Sequence, residues 1–208
     1  MSTMIYEVRT YDLKPRALPE VEKRFEEVLS HRLKYSPLAA FFHTEIGPLN
    51  QIIHIWPYEN MGERERIRGE AAQDPNWPPK VAEFIVNMES EIFIPYSFSP
   101  EINPGKLGPV FEWRSYMVRP GAIPGVVDRW GPAIEARTKL SPLVVCMHTE
   151  AGKLNKYVHI WGYESLSHRA EVRKEAVATG VWPPPGGGDT LISQENKIVI
   201  PASFSPLQ

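Results

Sequence analysis

The sequence predicts an α+β protein in which two ferredoxin-like βαββαβ domains pack sheet to sheet as an intrachain pseudo-dimeric α+β barrel. The first observation is a duplication: residues 6–79 align with 111–184 at a constant offset of 105, and about 30 of the 74 pairs are identical. A repeat of this length is the size of a small domain and is too long for a solenoid unit. The other two observations are the same order of strand and helix patterns in both copies, and a short glycine-containing link between two apolar runs in each.

Each copy begins with a strand followed by a helix. Residues 5–13 and 110–118 alternate β-branched or aromatic residues with charged ones, which is typical of a strand. Pro19 and Pro124 stand at the position of a helix start that tolerates a missing N–H group. Apolar residues then recur at helical spacing, as Leu18, Val21, Phe25, Val28 and Leu29 in the first copy and Val126, Val127, Trp130 and Ile134 in the second. Pro132 lies inside the second of these helices, and we expect it to kink the helix.

The middle of each copy predicts a hairpin and a charged helix. In the first copy, two extended runs at 38–46 and 51–58 are joined by Gly47-Pro48-Leu49-Asn50. Asn60, with Glu63 three residues later, resembles a capping box at the start of the next helix. Two arginines one turn apart on this helix recur in the second copy, and we interpret them as a solvent-exposed helix face. They are Arg64 and Arg68, repeated as Arg169 and Arg173.

The copies diverge after their shared Trp-Pro-Pro sequences. Residues 80–88 predict one or two helical turns, whereas the proline and glycine residues of 185–189 exclude a regular helix. We therefore expect the second copy to lack a late helix. The last strands are predicted at 91–95 and 197–201.

The βαββαβ order places both helices on one face of an antiparallel sheet and leaves the other face bare. We expect the two bare faces to meet, with the helices outside and matching polar side chains in a shared interior. The predicted domains are residues 1–100 and 110–208, joined by a linker at 101–109.

Composition narrows the classes of function. The 208 residues are 42% hydrophobic and 23% charged, with a net charge of −2, which is typical of a soluble globular protein and gives no basic field for nucleic acid. The chain has one cysteine, no apolar run long enough to cross a bilayer and no secretory pattern at its start. We therefore expect a cytoplasmic protein that binds neither nucleic acid nor membrane.

A set of polar and aromatic residues is kept in both copies. Strand residues two apart share a face, so Glu7, Arg9 and Tyr11 lie together, as do His54 and Trp56. The candidate catalytic residues are His43, Glu45, His54, His148, Glu150 and His159. The candidate substrate-binding residues are Arg9, Tyr11, Asn50, Trp56, Arg114, Tyr116, Asn155 and Trp161.

These motifs resemble the NIPSNAP family over nearly the whole chain, twice. The resemblance is carried by the run from His43 to Trp56, by Tyr6 to Tyr11 before it and by Ser97 to Pro100 after it, and the second copy matches through residues 112–116 and 148–150. It implies the dimeric α+β barrel architecture. Related barrels include cofactor-independent monooxygenases, haem-handling enzymes and small isomerase-like or dehydratase-like enzymes. The second copy departs from the pattern at 185–189, at Ala151 and at Lys153.

Two functions remain open on the sequence alone. In the first, the barrel binds a small aromatic or anionic molecule, and His43 or His54 is a general base for proton transfer or oxygenation, with Arg9 holding an anion. His and carboxylate side chains also suit a metal, but no His-Glu-x-x-His motif is present, so we predict neither a metal nor a cofactor. In the second, the domains form a non-catalytic scaffold and the polar set is an internal ion-pair network. Whether the protein is an enzyme and whether it forms a homo-oligomer stay open.

Overall fold

The computed structural model describes residues 4–208 and contains two copies of one βαββαβ unit. The first copy consists of β1 Ile5–Leu13, α1 Leu18–Arg32, β2 Ala40–Ile46, β3 Gln51–Tyr58, α2 Met61–Ala71 and β4 Ile85–Pro95. The second consists of β5 Val110–Val118, α3 Gly125–Thr138, β6 Leu143–Ala151, β7 Lys156–Tyr163, α4 Leu166–Ala178 and β8 Leu191–Pro201.

The eight strands close into one antiparallel barrel in the order β1-β3-β2-β8-β5-β7-β6-β4. Each copy contributes a four-stranded ferredoxin-like sheet, and the copies join where β2 pairs with β8 and β4 pairs with β6. Both edges of each sheet are thereby paired with the other copy, which removes the free backbone groups that would otherwise promote aggregation. The predicted fold class is confirmed.

Successive side chains of each strand point alternately into the barrel interior and toward the helices, and each side has its own apolar core. Tyr6 and Val8 on β1 face the barrel interior, where they join a cluster that draws on both copies and in which the rings of Phe42 and Phe111 lie 5.1 Å apart. Tyr11 belongs instead to a core between the first sheet and its helices. The second copy has an equivalent core beneath α3 and α4.

The expectation that the polar residues occupy a shared interior was wrong. Large apolar side chains fill most of the space between the two sheets, and Glu7, Arg9 and Tyr11 point the other way, toward the helices of their own copy. The predicted alternation of side chains along the strands was correct. The face predicted to line the shared interior, however, is the one that faces the helices. Each copy therefore has its own polar cluster between sheet and helices.

Local sequence signals place the helices. The Asn60 side chain accepts a hydrogen bond from Glu63 N at 2.9 Å, as the capping box predicts, and Ser165 caps α4 in the same way. The helix α3 continues through Pro132 as a single element. No helix among residues 4–208 combines the length and the apolar character that a bilayer crossing requires.

Of the one or two helical turns predicted at 80–88, the structure contains one short turn. One 3₁₀ turn, Ala82–Phe84, is followed directly by β4, which begins six residues earlier than predicted. The second copy has the same short turn at Gly188–Thr190, followed by β8. The second copy has therefore lost no helix relative to the first.

Candidate functional site

A cleft lies between the sheet and the helices in each copy. The cleft of the first copy encloses about 340 Å³ and that of the second about 430 Å³. We call them the first and second clefts. The strand residues Arg9, Tyr11, His54 and Trp56 form the floor of the first cleft, and the Trp77-Pro78-Pro79 sequence borders it.

A buried carboxylate organises the polar side of the first cleft. Glu7 has no exposed surface, and its Oε1 accepts hydrogen bonds from Arg9 Nη1 at 2.9 Å, Arg64 Nη2 at 2.8 Å and Ser90 Oγ at 2.8 Å. Arg68 Nη1 lies 3.4 Å from the same oxygen. Three guanidinium groups, from β1 and α2, thus converge on one carboxylate and fix α2 on the sheet.

The surroundings of Glu7 decide its ionisation. Burial raises the pKa of a carboxyl, but the Arg64 hydrogen bond, the charge of Arg68 and the Ser90 hydrogen bond outweigh burial and hold the pKa of Glu7 at about 2. Glu7 is consequently ionised across the physiological range.

A fourth guanidinium lies deeper in the cleft. Arg32, at the end of α1, is 3% exposed, donates to Ser36 Oγ at 2.8 Å and to Tyr58 Oη at 2.9 Å, and lies 4.3 Å from the Trp56 ring centroid. It has no carboxylate within ion-pair distance among the described residues. Its cation–π contact and hydroxyl partners leave its full positive charge in the cleft.

His54 presents one defined nitrogen to ligands. Its Nδ1 accepts a hydrogen bond from Trp56 Nε1 at 2.6 Å, so the neutral ring carries its proton on Nε2. That Nε2 atom is buried and has no hydrogen-bond partner among the described residues. Burial, reinforced by the charge of Arg9, lowers the pKa of His54 to about 3.

This arrangement makes His54 a hydrogen-bond donor. A general base needs a free lone pair and a pKa near the working pH, and His54 has neither. An oxygen atom bound beside Nε2 would instead receive its N–H.

Aromatic rings complete the first cleft. The Tyr11 ring meets the His54 ring edge-on at 4.9 Å, and Phe25 from α1 lies 6.1 Å from Trp77. Arg9 Nε donates to Tyr11 Oη at 2.7 Å, which orients both side chains at the cleft floor. The cleft combines apolar walls with a few fixed polar groups, as small-molecule sites do.

The second cleft repeats this geometry. Glu112 is fully buried and accepts from Arg114 Nη1 at 2.7 Å, from Arg169 Nη2 and from Asn196 Nδ2 at 3.1 Å, with Arg173 Nη1 at 3.5 Å. Burial raises the pKa of Glu112, but the Arg169 hydrogen bond and the arginine charges outweigh it, and the net shift is downward. The remaining equivalents also match: Arg137 lies over the Trp161 ring at 4.1 Å, Trp161 Nε1 donates to His159 Nδ1 at 2.6 Å, and His159 Nε2 is buried without a partner among the described residues.

The second cleft is lined by one arginine whose equivalent in the first copy lies outside the first cleft. Arg24 of the first copy is held outside the cleft by Glu20 and Glu83, each at 2.8 Å, and by the Phe84 ring at 4.8 Å. The equivalent residues in the second copy are Gly125, Asp189 and Thr190. The equivalent guanidinium, Arg129, makes no hydrogen bond or ion pair with the described residues, and it lines the second cleft.

Several predicted site residues lie outside both clefts. His43 pairs with Glu22 of α1, Nδ1 to Oε1, at 2.8 Å, and Glu45 is exposed. Asn50 has φ +57° in the hairpin, and its carbonyl accepts from Leu13 N at 2.8 Å. Their equivalents His148, Glu150 and Asn155 likewise do not line the clefts. The structure brings together Arg9, Tyr11, His54 and Trp56, with Arg114, Tyr116, His159 and Trp161 in the second copy.

The sequence interpretation missed the helix arginines. Arg64 and Arg68 were expected on a solvent-exposed face but reach the buried Glu7, and Arg32 was not singled out. The available signal was that these arginines are identical in the two copies, whereas most positions of the helices that contain them differ between the copies. Within residues 4–208, no group of three or more His, Cys, Asp or Glu side chains is arranged to hold a metal ion.

Comparison with known proteins identifies relatives of the chain. The NIPSNAP family model matches residues 6–100 and 111–206. The human protein NipSnap homolog 3A is 33% identical over 99% of this chain and 86% of its own length. Two solved structures share the fold of the whole chain: a protein proposed to be a monooxygenase from Fusobacterium nucleatum, with a TM-score of 0.67 at 10% identity, and an anthrone oxidase-like protein, with a TM-score of 0.64 at 11%. They cover 97% and 98% of this chain, and the chain covers 94% of each.

The low pKa of Glu7 predicts a specific loss of stability in acid. A carboxyl whose folded-state pKa is depressed stabilises the fold above its unfolded pKa of 4.5, and this contribution, about 3 kcal/mol, is lost as pH falls toward 2. Urea unfolding between pH 7 and pH 2 should show that Glu7→Gln is less stable than the wild type at pH 7 and that the difference shrinks in acid. Glu26→Gln, at an exposed position of α1, is the control. A difference for Glu7→Gln that stays constant down to pH 2 would contradict this assignment.

Proposed function

The chain belongs to the NIPSNAP family, and we propose that each of its two clefts binds a small anionic organic molecule that carries an aromatic or similarly flat apolar group. The observation that carries the proposal is the charge of the clefts. Arg9, Arg32 and Arg68 line the first cleft, and no carboxylate of the described residues does. The second cleft is lined by one carboxylate, Glu112, and by four guanidinium groups, those of Arg114, Arg129, Arg137 and Arg173.

The local charge balance strongly favours an anion. Around the first cleft one carboxylate, Glu7, faces the four guanidinium groups of Arg9, Arg32, Arg64 and Arg68. A structural network would be expected to pair its charges, because unpaired buried charges are costly. The excess cations are better explained as partners for a ligand carboxylate, phenolate or enolate.

The imidazole donor supports the same ligand. A buried N–H without an acceptor costs about 1–3 kcal/mol, so His54 Nε2 in the first cleft and His159 Nε2 in the second call for a bound oxygen. An anionic oxygen would satisfy this donor and the nearby guanidinium charge together. The surrounding rings would then pack on the apolar part of the molecule.

The scaffold alternative has less support. A scaffold interior would be closely packed, with its charged groups paired. The two clefts instead enclose about 340 and 430 Å³, within the range of small-molecule pockets, and they contain buried donors with no partner among the described residues.

Removing one cleft cation should weaken anion binding. A thermal-shift and calorimetric screen would compare 1-naphthoate with the isosteric neutral 1-naphthamide, because a ligand that binds the native state raises its melting temperature. We expect the acid to bind and the amide not to bind. The double variant Arg68→Gln with Arg173→Gln should lower the affinity for the acid by about 10-fold to 100-fold, as expected for loss of a charged hydrogen bond.

The matched control is Arg66→Gln with Lys174→Gln. Arg66 lies on the same helix as Arg68 but pairs with Glu70 at the surface, and Lys174 follows Arg173 at an exposed position. The proposal would be refuted if 1-naphthoate and other aromatic acids bound no more tightly than their amides. It would also be refuted if the test and control variants lost the same affinity for the acid.

Arg129 makes the second cleft the more cationic of the two. Because it lacks the carboxylate partners of Arg24, its charge is available to a second anionic group on the ligand. We therefore expect 1,8-naphthalenedicarboxylate to bind the second cleft more tightly than the first. Calorimetry with a two-site fit should show that Arg129→Gln removes this preference, with about a tenfold loss in the tighter site.

The pseudo-symmetric control is Arg24→Gln, which should leave the dicarboxylate affinity of both clefts unchanged. A tenfold loss on Arg24→Gln, or no change on Arg129→Gln, would contradict the assignment.

Oxidation of such an anion is the second candidate function. Positive charge favours the enolate or phenolate form of an aromatic substrate, and that electron-rich form reacts with dioxygen most readily. In the simplest case a ring CH₂ group and O₂ give a ring carbonyl and water. An oxygen electrode should record uptake with anthrone for the wild type and at least a tenfold slower rate for the Arg68→Gln and Arg173→Gln double variant. Equal rates would restrict the proposal to binding.

A further inference from the structure

A third cavity of a different kind opens at one end of the barrel interior. It encloses about 240 Å³, and inward-facing side chains of both copies line it. Val8, Phe93, Trp113 and Val158 provide its apolar surface. Polar groups from the strand ends and hairpins surround this surface. Among the described residues, none that lines either cleft also lines this cavity, although Asn196, which donates a hydrogen bond to Glu112, borders it. We call it the barrel-mouth cavity.

The two copies contribute different residues to equivalent positions of this cavity. Gln51 corresponds to Lys156, and Glu91 corresponds to Lys197. On one side, Lys156 forms an ion pair with Glu91. On the other side, Lys197 Nζ donates to the neutral amide oxygen of Gln51 at 3.0 Å.

Lys197 therefore lacks a direct counter-charge. No carboxylate of the described residues lies within 4.0 Å of its Nζ, which is 5.5 Å from the Trp113 ring centroid. Its side chain is partly buried, whereas a lysine with a purely structural role at this position would be expected to pair as Lys156 does.

The electrostatic surroundings favour the free amine. Burial and the charge of Lys156 lower the pKa of Lys197 to about 8, although Asp12, Glu89 and Glu91 act in the opposite direction. Glu195 from the same strand and Lys153 from the β6–β7 hairpin also face the cavity. A partly desolvated lysine beside a second cation is a recognised form of amine nucleophile.

We propose that Lys197 is a nucleophilic amine that binds a small neutral aldehyde or ketone in the barrel-mouth cavity as an imine. The lysine Nζ lone pair attacks the carbonyl carbon to give a carbinolamine, and loss of water then forms the C=N bond. The balance is one amine and one carbonyl giving one imine and one water, with no oxidant or reductant. A neutral carbonyl suits this cavity better than an anion does, because Glu89, Glu91 and Glu195 offset its three lysines.

Reductive trapping on the intact chain tests the proposal. The protein would be treated with butanal and sodium cyanoborohydride at pH 7.5, and the modified lysines would be located by peptide mass mapping. We expect Lys197 to be modified at least about tenfold faster than the exposed Lys23, because burial lowers the pKa of Lys197 and thereby increases the fraction of its amine that is unprotonated. Its rate should rise with a midpoint near pH 8.

Two variants keep side chains of similar size in the cavity. One removes the amine of Lys197, and the other changes the protonation of that amine. Lys197→Arg keeps the charge and should remove the fast site without moving modification to Lys153. Gln51→Glu places a carboxylate opposite Lys197 and removes the donor that Asp12 Oδ1 accepts from, Gln51 Nε2, at 2.7 Å. The added negative charge should slow modification of Lys197 severalfold by favouring the ammonium form. Arg66→Gln, an exposed substitution on α2, should leave the rate unchanged. Modification of Lys197 no faster than that of Lys23 and Lys153, or unaffected by Gln51→Glu, would overturn the proposal.

Discussion

The buried carboxylate of each copy is the interaction on which the rest of the site depends. Glu7 ties β1 to α2 through Arg64 and Arg68, and Glu112 makes the same connection in the second copy. Removing one member of such a cluster leaves an uncompensated buried charge, which typically lowers the free energy of unfolding by about 3–5 kcal/mol. Because each carboxylate is outnumbered by its guanidinium partners, the interaction that fixes the helix also leaves the cleft positive. Structure and the proposed anion site thus arise from the same residues.

The duplication shows which differences between the copies are functional candidates. The carboxylate, the guanidinium cluster and the His–Trp pair are kept in both copies, as expected if both clefts bind related molecules. Arg129 lacks the carboxylate partners that its equivalent, Arg24, has in the first copy. Lys197 occupies the position at which the first copy has Glu91, and it lies opposite the neutral Gln51. One change adds a cation to a cleft, and the other leaves an amine in the barrel mouth. The two clefts and the barrel-mouth cavity therefore differ in the charged groups that line them.

Sequence reasoning predicted the fold class and, to within two residues, the bounds of β1, β2, β3 and β5, because repeat length, strand alternation and hairpin links are local signals. Which face of β1 meets the helices was inverted, since alternation defines two faces without saying which one is covered. The role of Arg64 was missed because a helix arginine has the same sequence pattern whether it faces solvent or a buried carboxylate. Likewise, the sequence pattern of His54 does not show that Trp56 fixes its Nδ1. These features depend on tertiary pairing.

The pKa of a phenol bound in the clefts is the measurement that tests the central claim most directly. 4-Nitrophenol changes its absorbance on ionisation, so a titration at saturating protein concentration reports the electrostatic environment of the bound molecule. Burial alone raises the pKa of a phenol, whereas a net cationic environment lowers it. The charge imbalance around Glu7 and Glu112 predicts a pKa below that of free 4-nitrophenol, with the phenolate bound more tightly than the phenol. A pKa equal to or above the free value would contradict the account.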